Sequence, residues 1–205
     1  AARPGRGVAV IVIARHGRTA ANAGGLLLGR ADPPLDAEGI RQAEALGRAC
    51  AGLDVARVVT SPLGRCRDTA GAIATAAGGV PVVVDERWVE LDYGELDGVP
   101  FADLPAELWS AWRGDIEWCP PGGETLAALG RRVRAGAESL VDEARDRDVV
   151  VVSHVSPIKA AVAWALGVGD EITWRMWVGP ASLTRIGCSG PAPSLRSFNE
   201  LAHLA

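Results

Sequence analysis

Val8-Ala9-Val10-Ile11-Val12-Ile13-Ala14 is an unbroken apolar run that stops abruptly at Arg15-His16-Gly17. It is rich in β-branched residues and shows no polar alternation, the pattern of a strand covered on both faces. Val149-Val150-Val151-Val152 repeats that pattern and breaks off at Ser153-His154. Shorter strands are expected at Arg57–Thr60, Val80–Val84, Ser182–Ile186 and Ser194–Phe198. Helical stretches fall between them. Asp36 is placed to cap a helix running to about Gly52, and Ser61 to cap one that starts at Pro62 and ends near Ala77. Glu124 to Arg147 reads as one long amphipathic helix and Pro157 to Leu166 as another. Strands alternating with helices predict an α/β fold: a three-layer αβα sandwich around a mostly parallel sheet, in one domain over residues 1–205.

Composition narrows the function. With 48% hydrophobic and 22% charged residues in 205, the chain is long enough and apolar enough to bury a real core. The net charge is −4, and arginines and acids are interleaved without a basic block, so no nucleic-acid partner is expected. An anionic ligand therefore needs a local positive pocket. The longest apolar run near the start is too short for a signal core or a membrane span, and no membrane partner is expected. The four cysteines lie far apart with no C-x-x-C pair, which points to reduced thiols in the cytoplasm and to neither disulfides nor a metal site.

The stretch from Glu86 to Gly123 differs from the rest. It is irregular and rich in Trp, Pro and Gly, with one short helix expected around Pro105 to Arg113. An insertion of that kind in a compact domain is usually functional, and a lid over a pocket is expected. Trp109, Trp112 and Arg113 share a helix face at spacings of three and four, so Trp112 and Arg113 become candidate substrate contacts. The alternative, that the rings pack the insertion onto the sheet, stays open.

The chain has three histidines, and two of them, His16 and His154, directly follow the two most hydrophobic strands. In open α/β sheets, ligands bind beyond the carboxyl ends of the strands. A neutral imidazole is a competent nucleophile near pH 7 when its second nitrogen is held by a hydrogen bond. Taken singly, each histidine is equally well read as a residue that finishes a strand.

Their neighbours resemble the histidine phosphatase (phosphoglycerate-mutase-like) superfamily, in its phosphatase branch. Arg15-His16-Gly17-Arg18-Thr19-Ala20-Ala21-Asn22 is similar to the R-H-G-x-T-x-x-N signature, and Leu28-Gly29-Arg30-Ala31-Asp32-Pro33-Pro34-Leu35 to the G-x-x-D-x-P-L loop. Ser61-Pro62-Leu63-Gly64-Arg65 through Thr69-Ala70 resembles S-P-L-x-R-x-x-x-T-A. Glu90 to Gly98 resembles E-x-x-[FY]-G-x-W-E-G, and Pro121-Gly122-Gly123-Glu124-Thr125 resembles P-G-G-E-S. Val152-Ser153-His154 matches the second histidine motif. The motifs are ordered as in the family and cover roughly residues 8 to 200.

The resemblance implies a phosphomonoesterase acting on a small phosphorylated metabolite. His16 would form a phosphohistidine; Arg15 and Arg65 would grip phosphate oxygens, as planar guanidiniums do. His154 would be a cationic donor to the same oxygens and Asn22 a neutral one, with Gly29 in the phosphate loop. Glu90 would be the general acid and base, serving both half-reactions if burial raises its pKa towards neutrality. Asp92 and Glu95 are its nearby competitors. No cofactor and no metal are implied.

Departures from the family pattern carry their own expectations. Leu96 and Asp97 replace the usual Trp and Glu, read as a packing change at the lid base. Val155-Ser156-Pro157-Ile158-Lys159 follows His154 where the family usually has Gly. That pattern, with Phe198-Asn199-Glu200, resembles the phosphatase halves of actinobacterial proteins that also carry a ribonuclease H domain. Covalent fusion to another domain and a homodimer are both compatible with the sequence. Lys159 either serves the substrate or lies on a solvated face, the second reading being preferred, and His203 is read as a surface residue. A cofactor-dependent phosphoglycerate mutase is the alternative enzyme, although Val99-Pro100-Phe101-Ala102-Asp103 lacks the basic cluster such enzymes share. A non-catalytic phosphate-binding module is the alternative of another class.

Overall fold

The structure, a computed structural model, describes residues 9–205. The first strand, β1, is Val10–Arg15; Val8 of the expected run lies outside the described residues. It is followed by a single helical turn, α1 (Ala20–Ala23), and by α2 (Ala37–Cys50), β2 (Val55–Thr60), α3 (Gly64–Ala76) and β3 (Val82–Val84). After the irregular stretch with α4 (Ala106–Gly114) come α5 (Leu126–Glu138), β4 (Asp148–Ser153), α6 (Val155–Leu166), β5 (Leu183–Gly187) and β6 (Ser194–Glu200). The sheet order is β3-β2-β4-β1-β5-β6. The pairs β1–β4, β2–β4 and β2–β3 are parallel, and β1–β5 and β5–β6 antiparallel.

Both faces of the central strands are covered, as the lack of alternation in sequence requires. Val12, Ala14, Val150 and Val152 pack with Leu46, Cys66, Ala70 and Ile73 of α2 and α3. Ile11, Ile13, Val149 and Val151 pack on the other face with Leu129, Val133 and Ile158 of α5 and α6. The sheet is the middle of three layers. β3 is a true edge, with its valines 38–50% exposed.

Three helix boundaries differ from expectation, each for a tertiary reason. α3 begins at Gly64 rather than Pro62, and its N-terminal N–H groups are met by Asp32 from a distant loop: Oδ2 accepts from Gly64 at 2.6 Å. Ser61 is thereby spared for another partner. The helix expected from Glu124 to Arg147 ends at Glu138, yet Leu140 and Ala144 stay buried through the turns that follow. The apolar spacing continues while the backbone turns back towards β4. α6 starts two residues early, with His154 at its N-cap and Pro157 in the first turn, where a missing N–H costs nothing.

The Glu86–Gly123 segment contains the expected short helix as α4, but packing decides its character. Trp88, Leu91, Tyr93, Leu104 and Trp112 are continuous with the core on the α5–α6 face. Trp112 is 1% exposed, ringed by Tyr93, Trp109, Trp118 and Trp174 at centroid distances of 5.6–5.9 Å.

Candidate active site

β1 and β4 are parallel neighbours with Arg15 opposite Ser153, so the next residue on each strand is a histidine at the same sheet edge. The His16 N–H donates to the Ser153 carbonyl at 3.0 Å, and the two rings meet edge to face with centroids 5.1 Å apart. β2 ends beside them, with the Ser61 N–H donating to Val152 O. Three strand ends thus converge where the strand order doubles back, the usual place for a site in an open α/β sheet.

The His16 ring is buried and its protonation pattern is fixed from both sides. Nδ1 lies 2.7 Å from the Gly17 carbonyl, an acceptor, so Nδ1 carries the proton. Nε2 lies 3.3 Å from Arg65 Nε, a donor, so Nε2 keeps its lone pair. Burial first, then the Arg15 and Arg65 charges, hold the pKa of His16 well below 6.5. A neutral imidazole whose Nε2 keeps its lone pair is the result. Gly17 must be glycine: a Cβ there would meet Gly39 O at 2.3 Å.

His154 is fully buried and its Nε2 lies 2.7 Å from Ser61 Oγ, with Cys66 Sγ 3.4 Å away. Burial is the largest influence, followed by His16, Arg65 and Arg15, and together they hold its pKa well below 6.5. The expected cationic donor is corrected here: His154 is neutral at pH 7 and offers one N–H.

Arg65 is fully buried, and its donors are mostly committed. Nη2 donates to Gly29 O at 2.8 Å; Nη1 donates to Ala31 O at 2.7 Å and to Asp32 at 3.3 Å. Thr69 Oγ1 donates to the Arg65 carbonyl at 2.8 Å and accepts from Gly17 N at 3.2 Å, joining α3 to the His16 loop. Gly29, expected among the substrate contacts, instead positions Arg65. A Cβ at Gly29 would meet Leu91 O at 2.8 Å, which keeps this close crossing for glycine. Asp97, read from sequence as packing, is an electrostatic clamp: its two carboxylate oxygens accept from Gly29 N and Ala31 N, each at 2.8 Å.

Arg15 donates through Nη1 to Val178 O at 2.7 Å, whereas its buried Nε has no hydrogen-bond partner among the described residues. Burial pushes its pKa down to about 10, still charged at pH 7, with Glu90 acting in the other direction. Glu90 is 3% exposed and its carboxylate seats on the start of α6. Oε1 accepts from Leu91 N at 2.8 Å and Ser156 N at 3.1 Å, and Oε2 from Val155 N at 3.1 Å. Those last two donors directly follow His154, so Glu90 and His154 are held by one backbone segment. Asp92 accepts from Gly94 N at 2.9 Å as a turn former, and Glu95 is exposed.

Asn22 closes a capping box on α1: its Oδ1 accepts from Thr19 N at 3.1 Å, leaving the amide NH₂ as donor. Trp112 is corrected from substrate contact to core, because its ring has almost no accessible surface. Arg113 is exposed and lies 5.2 Å from the Trp109 ring centroid, beside a shallow depression with Ala106 and Ser110. No hydrogen bond or ion pair joins it to the residues around His16 among those described. Ser61, Thr69 and Asp97 were missed in sequence, although Ser61 and Thr69 stand in the quoted S-P-L-x-R-x-x-x-T-A motif and Asp97 in the one beginning at Glu90.

Among the described residues, no three His, Cys, Asp or Glu side chains are placed to hold a metal ion, and no helix is long and apolar enough to cross a membrane. A model of the histidine phosphatase superfamily (branch 1) matches residues 11–201. A bifunctional protein of Mycobacterium tuberculosis is 36% identical over 200 residues; the match covers 95% of this chain but only 54% of that protein. A Yersinia enterocolitica protein with the name "Probable phosphoglycerate mutase" is 33% identical over 181 residues, covering 86% of this chain and 83% of its own. The solved structure of a mycobacterial glucosyl-3-phosphoglycerate phosphatase with VO3 superposes with a TM-score of 0.83 at 30% identity, over 94% of this chain and all of that one.

Proposed function

The chain belongs to branch 1 of the histidine phosphatase superfamily, and we propose from that premise that it hydrolyses small phosphomonoesters through a phosphohistidine on His16. The observation that carries the reading is the pinned His16 ring, with Nδ1 on Gly17 O and Nε2 unprotonated, facing Arg65 Nε at 3.3 Å beside the His154 ring. In the first half-reaction, Nε2 forms a bond to phosphorus and the ester P–O bond breaks. Arg15, Arg65, His154 and the Asn22 amide supply donors to the non-bridging oxygens. The Glu90 carboxyl gives its proton to the departing alcohol oxygen. In the second, Glu90 takes a proton from water, the water oxygen attacks phosphorus, the N–P bond breaks and inorganic phosphate leaves.

Phosphatase relatives support hydrolysis of a small metabolite ester. The Yersinia relative's name favours a mutase instead, but residues Val99–Asp103 supply no cation for a substrate carboxylate. Four free cysteines support a reducing, cytoplasmic setting. Partial coverage of a relative named as bifunctional supports covalent fusion to a second domain.

Rapid quench of the wild-type protein with an aryl phosphate is expected to trap an acid-labile phosphoryl group, absent in His16→Ala along with turnover. An acid-stable phosphoester on Ser or Cys would overturn the mechanism. Phosphate release that survives excess chelator within about twofold is expected, since no ligand set among the described residues suits a metal. Isomerisation of phosphoglycerate without phosphate release would establish the mutase.

A further inference from the structure

For Lys159 a solvated face was preferred over a role towards the substrate, and the structure half-buries its side chain. It lies in α6 three residues after Ser156 and four after Val155, on the helix face whose first N–H groups hold the Glu90 carboxylate. The side chain is half-buried, yet its ammonium makes no hydrogen bond or ion pair among the described residues. Other cations near the site are largely committed. Arg65 is bound to Gly29, Ala31 and Asp32, and Arg132 to Glu124 and the carbonyls of Arg87 and Glu90. The aliphatic stem is covered while Nζ stays open to solvent, so its three donors are free to meet a ligand.

We propose that Lys159 is a specificity-determining residue that binds a carboxylate on the alcohol part of the substrate, beside the ester oxygen served by Glu90. The inference rests on the phosphatase reading above and narrows it to phosphomonoesters of hydroxy acids. Three features favour that ligand. Burial lowers the Lys159 pKa, while the Glu90 carboxylate opposes the fall and Arg15 adds to it, so its charge is felt among pocket groups. Arg15 and Lys159 repel each other, and an incoming anion relieves that repulsion. A single spare ammonium matches a singly charged carboxylate better than a second phosphate dianion, because Glu90 already stands alongside. The phosphate itself remains with Arg15, Arg65, His154 and Asn22.

The test compares 3-phosphoglycerate with glycerol 3-phosphate, which share a three-carbon skeleton and differ in a carboxylate against a hydroxymethyl group. The readout is the ratio of their kcat/KM values in wild type, Lys159→Met and Lys159→Arg. Losing a charged hydrogen bond should lower the ratio about 10–100-fold in Lys159→Met, mostly through KM for 3-phosphoglycerate. Lys159→Arg should keep the ratio within about threefold of wild type, since it preserves the charge. A ratio unchanged in Lys159→Met overturns the inference and leaves the phosphatase intact. So does an equal loss on both esters with a shifted pH profile, which would make Lys159 a partner of Glu90 alone. Wild type that releases phosphate from neither of these esters nor from an aryl phosphate overturns the phosphatase reading itself. Turnover of the aryl phosphate alone overturns only the hydroxy-acid assignment.

Discussion

Lowering the pH from about 7.5 to 5.5 should destabilise this protein through its two site histidines, by an amount that follows from their burial. His16 and His154 are both held well below the ordinary 6.5 in the folded chain. Above that value the rings are neutral in both folded and unfolded chains, and neither contributes. Below it, the unfolded chain takes up a proton on each ring while the folded chain does not. The unfolded state then binds more protons, so stability falls as pH falls. At pH 5.5 the loss is about 1.4 kcal/mol for each ring whose folded pKa lies lower still, and ~2.7 kcal/mol for the pair. Urea unfolding at the two pH values measures it. Phosphate must be absent from the buffer, because an anion that binds only the folded pocket would mask the change. Carboxylates contribute to both measurements, so the decisive comparison is with His16→Gln, His154→Gln and the double variant. The double variant should lose all of the histidine share and each single variant a part of it, the two parts not being additive for rings in contact. If wild type and the double variant lose the same stability over this interval, the rings are not held neutral by burial. The account of His16 as a pre-formed neutral nucleophile would then fail with them.

Further outcomes are expected at particular residues. Glu90→Gln should slow alkyl phosphate hydrolysis by about 10²–10⁴-fold and p-nitrophenyl phosphate far less, because a good leaving group needs little protonation; equal losses would reduce Glu90 to a structural role. Asp97→Ala removes both acceptors that hold the Gly29–Ala31 loop against Arg65, and should cost about 1–3 kcal/mol in urea unfolding together with a fall in kcat/KM. Asp92→Ala, which loses a turn contact to Gly94 and a half-exposed 4.0 Å ion pair with Arg30, is the control and should change kcat/KM less. Trp112→Ala should cost about 3–5 kcal/mol of stability with the same fractional loss of activity on every ester; a KM rise confined to aromatic esters would return Trp112 to the pocket.

Sequence alone determined the central strands and the place of the two histidines that end them. A β-branched run without alternation has only one comfortable home, between two helical layers, and a polar motif cutting it short must lie at the sheet edge. The positions of His16 and His154 were legible for that reason, and the ordered motifs around them singled out Arg15, Arg65 and Glu90, which the fold brings to the same edge. What these residues do to one another was not legible. The neutrality of His154 comes from total burial beside His16 and two arginines contributed by different elements. Gly29 became the seat of Arg65, Asp97 a clamp across the 68 residues that separate it from Gly29, and Asp32 the cap of a helix that Ser61 was expected to start. Trp112 and Lys159 both lost exposure to the tertiary fold, the ring entering the core and the Lys159 side chain becoming half-buried on α6. Local pattern reports which face of an element is apolar. Which side chain lies beneath a neighbouring segment, and so loses its water, is decided only when the layers close.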